Sequence, residues 1–386
     1  MKQYKLLAIL FLICIFGLGF ASDAKIIGYY RKGEPLNEEW IPELGRRNET
    51  DYTAVFFGKD IFVDLNGGIR RLLGQREMNQ VIRLNNDQLT ELMEMPADEG
   101  VIRKEAANTA VLSHYLSDRG IPFLVVLPPD KLRASDQKEI LPSGYEDFSN
   151  VNIDLYKQAL QDSGVAVLDM RSEMEKDGID QYSYFFTTDH HWTQEAGFYT
   201  YRKIGDYLKE NTDVRLDEAT FKEENYRKET YEDCLLGSWG QRTGRLFSGA
   251  DDITLYVPLF QSDVENLTFH KRGQMDEAVY NREYIREGHP DFIFDAVFDA
   301  TDQFVHYDAV SETKIMTICD SFGRVVNPFL ILGGESLRFQ SIYRSAEIDA
   351  ALIDSQEPDV VIMMFSPWYN LGKPDSFAFT LPGVLR

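Results

Sequence analysis

The segment IPFLVVL, residues 121–127, decides the fold class, because it is short, continuously apolar and rich in branched side chains. Such a run is typical of a strand that is buried on both faces. A stretch with helical spacing covers residues 103–118 just before it, and the loop PPDK, residues 128–131, follows it. The order of helix, glycine and apolar run recurs at residues 152–160 and 165–169. This repetition predicts a parallel sheet with helices on both faces.

The same pattern returns near the end of the sequence. KIMTI at residues 314–318 predicts a strand, and an apolar helix follows it through Leu332. QSIYR at 340–344 predicts a further strand, residues 346–353 a helix, and DVVIMMF at 359–365 a buried strand. Because the carboxyl ends of parallel strands meet at one edge of a sheet, we expect the polar residues after these strands to share a site.

The region between these two parts has a different character. Residues from about 209 to 310 are polar, acidic and aromatic, and they predict an irregular insertion in the α/β domain of residues 22–386, with short strands such as ITLYV at 253–257. Within it, GSWGQRTG at 237–244 favours a turn-rich surface loop, with binding of an acceptor as the alternative. Further upstream, YTAVFFGKD at 52–60 predicts the first strand.

Composition and charge restrict the class of protein. The 386 residues are 44% hydrophobic and 13% aromatic, which is a globular composition. The formal net charge is −23, from 40 basic and 63 acidic residues. Nucleic acids and anionic membrane surfaces would be repelled by this charge, so neither is expected as a partner.

The first 21 residues are interpreted as an export signal. Two lysines precede an apolar stretch from Leu6 to Ala21, and small residues occupy positions 19 and 21. An uncleaved anchor helix is the alternative, because the apolar stretch approaches the ~17–25 residues of a membrane span. Only Cys234 and Cys319 follow the signal, so no disulfide framework is indicated. We therefore expect an exported bacterial protein, extracellular or in the cell envelope, with membrane anchoring left open.

One polar cluster carries the chemistry. TTDHHWT at residues 187–193 places a carboxylate and two imidazoles ahead of a helical pattern that Thr193 would cap. The matching nucleophile is Ser321, which follows an apolar strand in the turn CDSFG. Asp189, His191 and Ser321 would then form one acid–base and nucleophile site.

These motifs resemble those of a known family. The tetrapeptide DHHW at 189–192, the later DSF at 320–322, FFGKD at 56–60 and VLPPDK at 126–131 together resemble the DHHW family, which is similar to the alginate O-acetyltransferase group of SGNH-hydrolase-like proteins. The match extends over most of the chain from about Thr53 and is weakest in the insertion. It implies an SGNH-hydrolase-like, flavodoxin-like sheet in which the histidine block precedes the serine block, a permuted motif order.

The resemblance also implies an activity. Ser321 would be the nucleophile, His191 its base and Asp189 the partner that orients the imidazole. The protein would be a serine-dependent O-acyltransferase, an O-acetyltransferase acting on a cell-surface or secreted polysaccharide, with no cofactor and with a membrane-bound acyl-exporting protein as a partner. A sugar-contacting wall is expected from polar and aromatic residues near the same edge, although each aromatic taken singly is more often a core residue. The residues of this wall are Trp192, Tyr343, Arg344, Trp368 and Tyr369.

Other functions use the same residues. An esterase would pass the acyl group to water through the same triad, and a non-catalytic polysaccharide-binding component of an export machinery would need only the aromatics. Asp189, His190 and His191 could instead bind a metal ion, but side chains that are adjacent in an extended segment point to opposite sides, so His190 is expected to face away from His191.

Three further residues near these motifs have less specific interpretations. Cys319 stands where the SGNH pattern has a glycine, and it is interpreted as a buried thiol rather than a nucleophile. Lys131 and Arg324 are interpreted either as anion-binding residues or as solvated loop ends.

Overall fold

A sheet of eight strands is the centre of the computed structural model, which describes Gly17 and residues 58–287, 301–373 and 377–385. The predicted export signal, apart from Gly17, and residues 52–57 of the predicted first strand lie outside these residues. Lys59 and Asp60, which end that predicted strand, belong to a helix instead.

The described chain contains both strands and α-helices along its length. The strands are β1 Glu77–Met78, β2 Val81–Arg83, β3 Leu89–Thr90, β4 Phe123–Leu127, β5 Val167–Asp169, β6 Tyr226–Leu235, β7 Asp251–Pro258, β8 Asp263–Asn266, β9 Lys271–Gln274, β10 Thr301–His306, β11 Lys314–Cys319, β12 Ser336–Ser341 and β13 Val360–Met364. The helices are α1 Lys59–Leu72, α2 Glu99–Ser117, α3 Gln137–Ile140, α4 Ser149–Asp162, α5 Met170–Lys176, α6 Gln194–Asn211, α7 Ser238–Thr243, α8 Arg245–Ser248, α9 Met275–Val279, α10 Arg282–Glu287, α11 Asn327–Gly333, α12 Ala350–Gln356 and α13 Pro367–Asn370. None of the helices in the described part of the chain has the length and apolar character that crossing a membrane requires.

The large sheet has the order β5-β4-β13-β11-β12-β10-β8-β9. Its first five strands are parallel, and β10, β8 and β9 extend it in antiparallel fashion. Because β13 lies between β4 and β11, the last strand of the described residues joins the two halves of the parallel sheet. The predicted α/β fold with a permuted order is confirmed.

Side chains on the central strands alternate between two apolar layers. In β4, Leu124 and Val126 belong to one core cluster, and Phe123, Val125 and Leu127 belong to the other. Helices α6 and α11 contribute to the first layer, and α2 and α4 contribute to the second. Burial on both faces of the sheet explains why the sequence of β4 is a continuous apolar run.

Two predicted elements were placed wrongly. The strand predicted at 340–344 lies at Ser336–Ser341, where it pairs with both β11 and β10, and Ile342–Glu347 is a 3₁₀ helix. The helix predicted at 346–353 accordingly begins at Ala350. Pairing with β10 and β11 determines where β12 begins and ends. The polar residues within β12 interrupt the apolar pattern, so the sequence did not indicate these bounds.

The predicted insertion is more regular than expected. The strand predicted at 253–257 is confirmed as β7, which forms a long antiparallel pair with β6. Strands β8 and β9, together with β10, add to the edge of the large sheet. The start of β7 reaches the loop before α6, so this region contributes directly to the candidate site.

Candidate active site

The loop before α6 carries the Asp-His cluster. Thr193 caps α6 as predicted, and its side chain accepts a hydrogen bond from the N–H of Ala196. The preceding residue, Trp192, is fully buried, and its indole N–H donates to the carbonyl oxygen of Phe322 at 2.8 Å. The loop is thereby joined to the turn that contains Ser321.

Asp189 and His191 form a direct hydrogen bond. The distance from Nδ1 of His191 to Oδ1 of Asp189 is 2.6 Å, and the same oxygen accepts the backbone N–H of His191 at 2.9 Å. The other carboxylate oxygen accepts the N–H of Ser238 at 2.6 Å. Burial favours the neutral carboxyl, but the contacts with His191, His190 and Ser238 outweigh it and hold the pKa of Asp189 well below its usual range. Asp189 is therefore an ionised partner that orients the His191 ring.

Ser321 begins a 3₁₀ helix, Ser321–Val325, directly after β11. The buried side chain of Asp320 fixes this turn, because its Oδ1 accepts the N–H of Phe322 at 2.9 Å. Its Oδ2 accepts the N–H of Ser366 and the side-chain amide of Asn370, both at 2.8 Å. Burial raises the pKa of Asp320. Asp320 thus ties the serine turn to the end of β13.

The serine turn and the histidine loop meet through Phe322. The Phe322 ring centroid lies 5.6 Å from that of His191 and 5.6 Å from that of Trp192. A close approach of α6 supports this contact, because a Cβ on Gly197 would lie 2.2 Å from the carbonyl oxygen of Val325. The structure therefore brings Asp189 and His191 into contact and places the partly exposed Ser321 in the adjoining turn.

The N–H groups that follow Ser321 are already engaged. That of Phe322 donates to the Asp320 side chain, and that of Gly323 donates to the Asp320 carbonyl oxygen at 3.1 Å. A turn of this kind suggests that such groups could stabilise a tetrahedral oxyanion. In this structure they stabilise the turn itself, so oxyanion donors have to come from elsewhere in the site.

His190 lies beside His191, and the prediction that the two rings face opposite sides is wrong. Their ring centroids are 3.8 Å apart, because residues 187–191 bend rather than run extended. Nδ1 of His190 lies 3.0 Å from the hydroxyl oxygen of Ser238 and 3.4 Å from Oδ1 of Asp189. Burial, with the charge of His191, lowers the pKa of His190 to about 3.

This arrangement also bears on the metal alternative. One ligand atom from each of Asp189, His190 and His191 lies within 4.8 Å of the others. The spacing is compatible with a cation, but both carboxylate oxygens of Asp189 already accept hydrogen bonds within the protein. Removal of metal with a chelator therefore distinguishes a cation site from an acid–base pair.

The predicted sugar-contacting residues divide into two groups. Trp192 is 0% exposed, so the interpretation of this residue as a sugar contact is wrong, and it is a core residue. Tyr343 and Tyr369 are 60% and 48% exposed, and their ring centroids lie 6.1 Å apart. The ring centroids of Trp368 and Tyr369 are 6.3 Å apart, and the guanidinium group of the exposed Arg344 lies 3.6 Å from the carboxylate of Glu347. The exposed tyrosines follow β12 and β13 at the same sheet edge as Ser321.

Lys131 is neither an anion-binding residue nor a solvated loop end. Its side chain is buried, and its ammonium group donates to the carbonyl oxygens of Phe186, Thr187 and Asp189 at 2.6, 3.1 and 3.0 Å. Its position in the loop after β4 was the signal in the sequence. Asp251 holds the same loop from the opposite side, and no sequence pattern indicated it.

The segment predicted as a turn-rich surface loop packs against Asp189 and donates a hydrogen bond to its carboxylate. Residues 238–243 form α7, and the N–H groups of Trp239 and Gly240 donate to the carbonyl oxygen of Thr188. A Cβ on Gly237 would lie 2.3 Å from the Cβ of Asp189. The glycines of this segment therefore allow close packing against the catalytic loop.

Cys319 is a buried thiol, as predicted. Its side chain is 0% exposed, and burial raises its pKa to about 12. A Cβ on Gly323 would lie 2.2 Å from its Sγ. A protonated, enclosed thiol of this kind is not a nucleophile at neutral pH.

Comparison with known proteins supports the fold and the class of activity. Residues 88–263 match the family described as SGNH hydrolase-like domain, acetyltransferase AlgX; the match includes Asp189 and His191. A search of curated proteins finds no match. The solved structures with a similar fold include two whose sequence identity to this chain is 16% and 15%.

The first is Bacillus cereus PatB1 with a sulfonyl adduct, at a TM-score of 0.61 and 16% identity over 79% of this chain and 99% of that chain. The second is a DHHW family protein from Eubacterium siraeum DSM 15702, at a TM-score of 0.55 and 15% identity over 78% of this chain and 95% of that chain. Residues 88–263 are thus similar to the SGNH hydrolase-like domain of the acetyltransferase AlgX, which confirms the resemblance predicted from the motifs.

Proposed function

We propose that the protein is an extracytoplasmic, serine-dependent O-acyltransferase that moves an acetyl group to a hydroxyl of a cell-surface or secreted polysaccharide. The family match supports an enzyme of the acyltransferase or esterase kind. The observation that carries the proposal is the 2.6 Å hydrogen bond between Asp189 and His191, in a loop joined to the Ser321 turn.

The first half of the reaction forms an acyl-enzyme. His191 takes the hydroxyl proton of Ser321, and the serine oxygen attacks the acyl carbonyl while the bond to the donor's leaving group breaks. The proton held by His191 passes to that leaving group. Because Asp189 is ionised and bonded to Nδ1 of His191, it stabilises the imidazolium and leaves Nε2 for the proton transfer.

The second half transfers the acetyl group. A sugar hydroxyl loses its proton to His191 and attacks the ester on Ser321, which returns the serine with its hydroxyl proton. The exposed rings of Tyr343 and Tyr369 offer flat surfaces of the kind on which sugars stack, and Trp368 extends this surface. These aromatics support a carbohydrate acceptor rather than water alone.

Two parts of this proposal come from the sequence. Export rests on the interpretation of residues 1–21, and a membrane-bound acyl-exporting protein as the source of acetyl groups rests on the family resemblance. A non-catalytic polysaccharide-binding role would not require the hydrogen-bonded pair of Asp189 and His191, so the presence of this pair favours a catalytic role.

The test is a transfer assay. The full-length protein is incubated with 4-nitrophenyl acetate, with and without candidate oligosaccharides, and mass spectrometry locates the acetyl group. We expect Ser321-dependent acetylation of an oligosaccharide. If acetate is the sole product with every acceptor, the protein is an esterase; if Ser321→Ala is as active as the wild type, the serine mechanism fails.

A further inference from the structure

The peptide segment 186–189 lies between a buried cation and a buried anion. On one side, all three hydrogen bonds of the Lys131 ammonium go to carbonyl oxygens of this segment. On the other side, the carboxylate of Asp251 accepts the N–H groups of Thr187 and Thr188, both at 2.7 Å, and the Thr188 hydroxyl at 2.6 Å. Lys131 lies in the loop after β4 and Asp251 begins β7, and the two are distant in the sequence.

These contacts end at the residue that orients the catalytic histidine. Lys131 bonds the backbone carbonyl of Asp189, while the Asp189 side chain bonds His191. The Lys131 ammonium also lies 4.6 Å from the ring centroid of Trp239 in α7, the helix whose first residue donates to the Asp189 carboxylate. Backbone and side chain of Asp189 are therefore fixed by neighbouring groups.

We propose that Lys131 and Asp251 are positioning residues for the acyl-transfer site, which hold the 186–189 segment so that Asp189 stays aligned with His191. This inference rests on the proposed function and adds two residues to it that do not touch the reacting atoms. Charge-assisted hydrogen bonds are stronger than neutral ones, and a buried carbonyl that loses its donor carries an unsatisfied cost. Without the ammonium, the carbonyl oxygens of Phe186, Thr187 and Asp189 would lose their shared charged donor, and the loop would shift.

The charges around Lys131 define how it responds to pH. The carboxylates of Asp251, Asp189 and Asp130 face it, and the His190 ring lies within electrostatic range. Burial, against the opposing effect of these carboxylates, lowers the pKa of Lys131 to about 7. Activity that depends on the ammonium form is therefore expected to decline as pH rises above this value.

The test compares Lys131→Met and Asp251→Asn with a matched control, Lys203→Met. Lys203 is also largely buried and paired, with Glu173 and Asp177 at 2.8 Å each, but it bonds no residue of the loop. For each variant, kcat and KM with 4-nitrophenyl acetate, the pH profile and the melting temperature are measured. A downfield ¹H NMR resonance from the His191–Asp189 hydrogen bond provides a readout that is independent of turnover.

We expect Lys131→Met and Asp251→Asn each to lower kcat by at least about tenfold with KM little changed, since they misalign a catalytic group without removing substrate contacts. Lys131→Met should also lose the alkaline decline of the wild type, and the downfield resonance should vanish in both variants. Lys203→Met should lower the melting temperature and leave kcat and the resonance unchanged.

Other outcomes overturn the inference. Wild-type kcat and an intact resonance in folded Lys131→Met exclude a positioning role. If Lys131→Met does not fold, kcat and the downfield resonance of Asp251→Asn test the inference, because asparagine has nearly the same size and shape as aspartate. Full activity of Ser321→Ala would contradict the proposed function without deciding the role of Lys131 and Asp251. In that case the downfield resonance still shows whether these two residues align Asp189 with His191.

Discussion

The indole N–H of Trp192 donates a hydrogen bond to the carbonyl oxygen of Phe322, and this bond joins the two halves of the candidate site. Trp192 follows His191 directly, and Phe322 follows Ser321. The distance between the base and the nucleophile is thus controlled by the residues next to them in sequence. In this structure the tryptophan of the DHHW motif is a connection between two segments rather than a sugar contact.

Replacement of Trp192 by phenylalanine tests that role. The variant keeps an aromatic ring but leaves the Phe322 carbonyl without its donor in a buried position, which should cost roughly 1–3 kcal/mol of unfolding free energy. Ester hydrolysis and acceptor transfer should fall by the same factor, because the connection serves both. Urea unfolding and the two assays measure this, and a loss confined to acceptor transfer would restore the sugar-contacting interpretation.

The three polar residues of the motif should differ sharply in their effects. His191→Ala should reduce turnover by ~10⁴–10⁶-fold and Asp189→Asn by less, because the asparagine variant keeps the imidazole but misorients it. His190→Ala should cost far less, since the neutral His190 ring bonds Ser238. Steady-state kinetics of the three variants check this order.

The same variants separate the triad from a metal site. A bound metal ion predicts large losses at Asp189, His190 and His191 alike, inactivation by a chelator and recovery on addition of metal. The triad predicts no effect of the chelator on any of them. Inactivation of the wild type by the chelator, with recovery on adding zinc, would contradict the acyl-enzyme account.

Cys319 provides a control for the identity of the nucleophile. Because its thiol is enclosed and protonated, Cys319→Ala should retain most of the turnover, with a small loss of stability from the missing sulfur. Kinetics and melting temperature of this variant are sufficient to decide. An inactive Cys319→Ala protein with an intact fold would transfer the nucleophile's role from Ser321 to Cys319.

Asp130, in the loop after β4, should make stability depend on pH. Burial, and then the charge of Asp147, raises the pKa of Asp130 to about 7, while the unfolded chain releases this proton near pH 4. The folded protein therefore binds more protons between these values, so this group's contribution to stability decreases as pH rises toward 7. The difference in melting temperature between Asp130→Asn and the wild type should therefore favour the variant more at pH 8 than at pH 5, as measured by thermal unfolding. The same difference at both pH values would contradict the raised pKa of Asp130.

The sequence was sufficient for elements with a strong local pattern. Buried strands such as β4 and β13 are continuous apolar runs, and the cap of α6 at Thr193 follows from its side-chain chemistry. The site residues Asp189, His191 and Ser321 were found through motifs, and the structure brings their segments together.

What the sequence could not show depends on contacts between distant segments. The bend that brings the ring of His190 beside that of His191 is held by groups from the loop after β4, from β7 and from α7, none of which is near in sequence. For the same reason Asp251 had no recognisable pattern. The burial of Trp192 likewise follows from the docking of α6 on the serine turn.

The central claim is that Ser321 carries the acetyl group between donor and acceptor. The most direct measurement is peptide mass spectrometry of the protein quenched during turnover of 4-nitrophenyl acetate, with Ser321→Ala as the control. The account predicts one acetyl group on Ser321, which disappears when a suitable oligosaccharide is added and is absent from the variant. Acetylation at another residue that persists in a fully active Ser321→Ala protein would contradict it.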